Sequence, residues 1–391
     1  MDIAAFCRQS RVLVVAGKGG VGKTTITAAL ARMAADAGLD VLVVDLEGKP
    51  GVTAAFGGSG SLSYDQSALA SPAGAAPTRA TPAPDSAAPD GNGPAPAADG
   101  GGRGRGTIHA RRITPDDALL EYLADHGMGR ISKRLVSSGA LDVVATAIPG
   151  IRDILVLGKI KQLEREAEAD LILVDAPATG HAMTFLSSAR GLLDAARSGP
   201  VRAQAAEVVE LLNDPDRCQV ALVTLPEEMP VNEVVEAAYQ LEDKVGLTLG
   251  PVIVNACLPD EPWLIVDPAA AAREVGMTLT DDQVAGLAAA ARFRDRRFRL
   301  QQGERRRLAE ELPLHQLQAP FVFSDTIGPE EIARIADALG GAVEAYGAES
   351  PSPSSGPGKQ RTGEALGGRR RAPAPGSSGA AGPGPGPGPV T

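Results

Sequence analysis

The stretch from Gly17 to Thr24 reads G-K-G-G-V-G-K-T and fits the pattern G-x-x-x-x-G-K-[ST]. Its residues suit one task. Glycines let backbone N–H groups close around phosphate oxygens, Lys23 can reach the outer phosphates, and the Thr24 hydroxyl can ligate a divalent cation. Two acidic segments could complete such a site. "DLILVDAPATGHA" sets Asp175 at the carboxyl end of an apolar run, where a metal-side carboxylate would stand. "VLVVDLEGKPGV" ends a second run on Asp45 and Glu47, and one of the two could orient an attacking water. The chemistry expected is ATP binding with Mg²⁺. Gly17, Lys18, Gly19, Gly20, Val21, Gly22, Lys23, Thr24 and Thr25 surround the nucleotide in this reading, Thr24 holds the metal, and Asp175 holds it through water. One feature is unusual for such a loop: it carries two lysines, Lys18 and Lys23.

Positioning these groups is a job for the surrounding elements. Short runs rich in Val, Ile and Leu recur as "RVLVVAG", "DVLVVDL", "LDVVATA", "DLILVDA", "CQVALVTL", "GPVIVNAC" and "APFVFSD". Continuous apolar runs suit strands buried on both faces, as in a parallel sheet. Helix-length segments separate them. Thr24 to Ala37 is Ala/Leu-rich and stops at Gly38, while "TPDDALLEYL" opens with Thr114 as N-cap, Pro115 in the first turn and two acids. The alternation predicts an α/β fold: a doubly wound, mostly parallel sheet with helices on both faces. The loop then sits between a strand and a helix, the context that makes the string a P-loop.

Composition bounds the rest. Of the 391 residues, 57–106 form a Pro/Gly/Ala/Ser-rich insert with Leu62, Tyr64 and Leu69 as its only large apolar groups, and 350–391 form a Pro/Gly-rich tail. Both are expected to be disordered, because so little apolar surface cannot offset the entropy of ordering. Residues 1–56 and 107–349 remain as one domain of about 300 residues, enough for a sizeable core. The net charge of -10 argues against a general nucleic-acid binder. Cys7, Cys218 and Cys257 lie far apart, which fits neither a disulfide framework nor a metal knuckle and suits a reducing cytoplasm. No run approaches the roughly 18 apolar residues of a membrane span, so a cytoplasmic protein is expected.

The two-lysine loop "GKGGVGKTT", the segment "DAPATGHA" and the helix opener "IPGIRDILVLGKI" together resemble the ArsA-type ATPases, and "TLPEEMPVNEVVEA" and "GPVIVNAC" extend the match. That family comprises arsenite-pump ATPases and ATPases that target tail-anchored membrane proteins, within the deviant Walker A group of P-loop proteins. The resemblance implies a nucleotide-gated homodimer, or a heterodimer with a related ATPase, coupled to a client the sequence does not name. Lys18 corresponds to the signature lysine that reaches the partner's phosphates. Glu47 falls at the catalytic aspartate of the first switch and is one methylene longer. Asp175 opens the second switch, followed by Thr179, Gly180 and His181. Asn255 corresponds to the adenine-contacting asparagine. The zinc-binding cysteine pair of the eukaryotic targeting factors has no counterpart near Ala291 to Arg294, so no zinc is expected. The arginine run "RFRDRRFRLQQGERRR" reads as a solvated helix face. Two functions of different class are compatible with this reading: a hydrolysing Mg-ATPase, or a binding switch in which ATP fixes a dimer and turnover is incidental.

Overall fold

The computed structural model describes residues 2–48, 50–70, 104–125, 127 and 150–349. The chain opens with α1 (Ile3–Cys7), β1 (Val12–Gly17), α2 (Lys23–Asp36), β2 (Val41–Asp45) and α3 (Gly51–Ala55). Next come β3 (Ser67–Ala70), β4 (Ile108–Arg112), α4 (Pro115–Asp125), α5 (Ile151–Glu166), β5 (Leu171–Ala178), α6 (Thr179–Ala195) and α7 (Pro200–Asn213). It continues through β6 (Cys218–Thr224), α8 (Glu228–Gln240), β7 (Leu249–Cys257), α9 (Pro268–Glu274), α10 (Asp281–Glu311), β8 (Gln316–Pro320) and α11 (Pro329–Glu349).

Eight strands form one sheet in the order β3-β4-β2-β5-β1-β6-β7-β8, and every pairing is parallel except that of β3 with β4. The apolar runs explain the parallel arrangement, because alternate residues of the five central strands, β2, β5, β1, β6 and β7, enter different cores. Val12, Val14 and Ala16 of β1 join one cluster with α5, α6 and α7, and Val15 joins the other with α2 and α11. Each fully buried Val or Leu contributes roughly 1.5–3 kcal/mol relative to exposure. Helices cover both faces, as expected for a doubly wound fold of the P-loop type.

β1 lies at the centre, between β5 and β6. Chain connections run to one side of it before β5 and to the other after β6, so a crevice opens at the carboxyl ends of the middle strands. The P-loop follows β1 into that crevice. Close packing explains Gly17: a Cβ there would lie 2.3 Å from the Val223 carbonyl oxygen of β6. Local signals set the neighbouring helices. Thr114 accepts a hydrogen bond from the Asp117 amide at 3.2 Å and caps α4; Gly38 ends α2 with φ of 82°.

Two sequence expectations meet the structure differently. The run "APFVFSD" is not itself the last strand; β8 is Gln316–Pro320, and Phe321 and Phe323 are 41% and 74% exposed. β8 is an edge strand that buries only alternate residues, Leu317 and Ala319, so it lacks a continuous apolar signature. The segment 57–106 is ordered at its two ends. Leu62 is buried, β3 pairs with β4, and the Gly106 amide donates to the Ala35 carbonyl at 2.8 Å. Backbone pairing to a sheet edge needs few apolar side chains, so composition alone mislocates the boundary; residues 71–103 lie outside the described residues. So do the expected strand "LDVVATA" and the whole tail from 350 onward.

Candidate functional site

The P-loop places its groups through backbone conformation. Gly20 and Gly22 both have φ of 87°, a region that side-chain-bearing residues rarely adopt. Gly22 then caps α2, whose first residue is Lys23. The Lys23 ammonium folds over the loop and donates to the Lys18 carbonyl at 3.3 Å. Asn255, past the middle of β7, braces the loop from the side: its amide donates to the Val21 carbonyl at 2.9 Å. A Cβ on Gly22 would meet that amide at 2.4 Å, so loop and brace are fitted to each other. Thr25 follows in the first turn of α2, half-buried.

Beneath the loop lie the acids. The Thr24 hydroxyl donates to Asp175 Oδ2 at 2.7 Å, and parallel pairing sets Asp45 beside Asp175 on neighbouring strands. Asp45 and Asp175 are only 2% and 6% exposed. Burial pushes the Asp175 carboxyl up to about 6, with the nearby Asp45 charge adding to the rise and the Thr24 hydrogen bond opposing it. Asp45 is also raised by burial, although the amides of Glu47 and Gly48 donate to its Oδ1 at 3.0 Å each. Oδ2 of Asp45 and Oδ1 of Asp175 are buried without a hydrogen-bond partner.

Two buried, unpaired carboxylate oxygens on register-paired aspartates, one of which also accepts from the Thr24 hydroxyl, form a hard, anionic donor set of the kind Mg²⁺ takes. The residues therefore fit the metal that the sequence motif implies. Thr24 and Asp175 would hold it, and it would supply charge neutralisation at the phosphates.

Other expected residues fall at different depths. Glu47 is exposed, two residues beyond the buried Asp45. Thr179 begins α6; Gly180 and His181 follow it at the surface. Lys18, partly exposed, forms an ion pair with Glu233 of α8 in the same chain. The three cysteines are free and buried, and burial pushes their thiols up to about 12 for Cys7 and Cys218 and about 11 for Cys257. Such thiols stay protonated and are poor nucleophiles or metal ligands. The arginine run lies on α10, where Arg292, Arg296, Arg297 and Arg299 are exposed, while Arg294 is half-buried and pairs with Glu261 at 2.6 Å.

Sequence reasoning missed two charged neighbours. Glu233 lies 215 positions from Lys18, inside the segment "TLPEEMPVNEVVEA" that extends the family resemblance, but nothing in that string assigns the glutamate a partner. Arg112 ends β4, a strand too polar to stand out; its guanidinium packs on Gly48, where an added Cβ would lie 2.3 Å from Cζ. Its charge opposes the upward shift of Asp45.

Fold and site together define an α/β nucleotide-binding protein of the P-loop class. Comparison with known proteins agrees and narrows the class. Residues 12–170 match the CobQ/CobB/MinD/ParA nucleotide binding domain, and residues 193–264 match the anion-transporting ATPase family. The chain is 34% identical over 256 residues to the ATPase BagA of Mycobacterium tuberculosis, an alignment covering 64% of this chain and 66% of that one. It is 27% identical over 272 residues to a Halobacterium salinarum protein named as an arsenical pump-driving ATPase, covering 65% of this chain and 36% of the relative. For the arsenical pump-driving ATPase of Escherichia coli the identity is 25% over 249 residues, covering 63% and 35%. The chain belongs to the ArsA-type ATPase family. It spans just under two thirds of the mycobacterial relative and about a third of the two arsenical-pump relatives.

Proposed function

We propose that the chain binds ATP with Mg²⁺ and hydrolyses it, acting as a nucleotide-gated dimer, homomeric or with a related ATPase, whose opening and closing is coupled to a client. The observation that carries this reading is the stack of Thr24, Asp175 and Asp45 under the P-loop, with two buried carboxylate oxygens left unpaired. Leaving such oxygens unpaired costs about 1–3 kcal/mol each, more when charged. A cation with its nucleotide relieves that cost.

In this reading each residue has a role. Backbone amides of Gly19 to Thr24 close on the phosphates and Lys23 neutralises their charge. Mg²⁺ at Thr24 and Asp175 would withdraw charge from the outer phosphates. Glu47 orients the water, with Asp45 holding the Glu47 and Gly48 amides and so the shape of that turn. Lys18, in the deviant Walker A manner, serves the partner's nucleotide. Asn255 braces the loop and faces the base. The client belongs to anion or metalloid export or to membrane-protein handling, by kinship with the pump-driving relatives. Among the described residues no helix is long and apolar enough to cross a membrane, so a membrane client would be met by a partner or a surface; a cytoplasmic location is part of the proposal.

A second reading has its own support. Glu47 is exposed, and a water held there is poorly sequestered in a single chain, which favours a slow switch that docks a partner in its ATP state. Single-turnover hydrolysis separates the two. Release of one phosphate per site within seconds to a minute supports the enzyme; ATP retained unhydrolysed for many minutes supports the switch.

A further inference from the structure

Lys18 has two demands on it. Its ammonium is ion-paired with the Glu233 carboxylate within one chain, yet it stands in a loop shaped for phosphates. Both side chains are about a third exposed, at 37% and 36%, so the pair is accessible to solvent and can open. It cannot serve Glu233 and a phosphate fully at once, because a compact ammonium forms its strongest contact with one anion at a time.

Glu233 is also not a free-floating surface acid. It sits in the middle of α8, next to Asn232, whose side-chain oxygen accepts a hydrogen bond from Arg307 of α10 at 2.7 Å. Arg307 further donates to the Glu228 carbonyl of α8 at 3.3 Å, and the Tyr239 hydroxyl donates to the Glu311 carbonyl at 3.0 Å. Arg297 adds an ion pair to Glu227 at 3.2 Å. α8 is thus tied to α10 along its length, and Glu233 is presented to the P-loop from a fixed support.

We infer that Glu233 is a positioning residue for Lys18, holding it away from nucleotide phosphates until they displace the carboxylate. This rests on the P-loop reading and assigns that site a competitor for nucleotide built into the same chain. The loop then has a resting arrangement, Lys18 on Glu233, and a loaded one, Lys18 on phosphate. Exchange between them releases a carboxylate that belongs to the α8–α10 unit.

The test is a double-mutant cycle on the full-length protein, reading Mg·ATP affinity with a fluorescent ATP analogue. Glu233→Gln keeps the shape and removes the charge that holds Lys18. It is expected to tighten binding about two- to fivefold, the scale of an exposed ion pair. In a Lys18→Ala background the same change is expected to alter affinity by less than about 1.5-fold, because the competition has lost its object. Glu233→Asp, which shortens the reach, should fall between wild type and Glu233→Gln. An equal gain in both backgrounds would show that Glu233 only repels phosphate from a distance, and would overturn the inference. No gain, or weaker binding, in Glu233→Gln alone would overturn it as well. A wild-type chain that binds no nucleotide would instead remove the P-loop reading on which the inference stands.

Discussion

Replacing Asp175 with Asn should stabilise the nucleotide-free protein while disabling it. The carboxyl is raised from 3.8 to about 6 in the folded chain, so the native state binds the extra proton between those values. Stability therefore falls as pH rises through that window, and the cost of the buried charge is complete above pH 6. The shift of about two units corresponds to about 3 kcal/mol at pH 8, at 1.36 kcal/mol per unit. At pH 5 the native carboxyl is mostly protonated, and the same linkage leaves about 1.5 kcal/mol. Asn resembles the protonated carboxyl and can still accept the Thr24 hydrogen bond, so it recovers this cost at each pH. For a domain of about 300 residues, 1 kcal/mol moves the melting temperature by about 1.5 °C. Calorimetry without nucleotide should show Asp175→Asn melting about 4–5 °C above wild type at pH 8 and about 2 °C above at pH 5. Adding Mg·ATP should raise the wild-type melting temperature and leave the variant's nearly unchanged. A variant less stable than wild type at pH 8, or a gain equal at both pH values, would refute the claim that this site holds a costly, unneutralised buried carboxylate.

Three further outcomes follow from the same geometry. Glu47→Gln should keep nucleotide affinity and slow phosphate release by roughly 10²-fold, the scale of one positioned acid–base group; unchanged turnover would move the role to Asp45 or another group. Gly22→Ala should weaken nucleotide binding at least tenfold, because it strains a φ of 87° and pushes a methyl group into Asn255; normal affinity would show the loop to be more plastic than its packing implies. Lys18→Ala and Glu47→Gln, each nearly inactive alone, should recover up to about a quarter of wild-type activity when mixed. Half the dimers would be mixed, each with one complete centre. No recovery after subunit exchange, confirmed by mass measurement, would remove either the role of Lys18 in trans or the independence of the two sites.

The placement of the candidate site was legible because its residues stand in short strings. A glycine loop after an apolar run can be placed without knowing the fold, and so can Asp175 at the end of another run; the fold brings the Thr24 hydroxyl to 2.7 Å from Asp175 Oδ2. Buried parallel strands are also legible, since both faces must be apolar. Edge strands are not. β8 buries only Leu317 and Ala319 among polar neighbours, and β4, "IHARR", has the composition of a loop. The pull of the aromatic run at Phe321 and Phe323 shifted the last strand toward residues that are exposed. Contacts across long sequence separations were hidden for a different reason. Nothing near Glu233 indicates that α8 will carry it to Lys18, and nothing near Arg112 indicates that it will pack on Gly48, because both meetings are made by topology.

The proposed activity is that the P-loop, with its buried acids, binds and cleaves ATP with Mg²⁺. The most direct measurement is phosphate release from ATP by the purified full-length chain, with Mg²⁺ or with EDTA, for wild type and Lys23→Ala. Release should require Mg²⁺ and disappear in Lys23→Ala together with ATP binding, since the lost ammonium leaves phosphate charge uncompensated. Equal release in EDTA, or near-normal binding and release by Lys23→Ala, would contradict it.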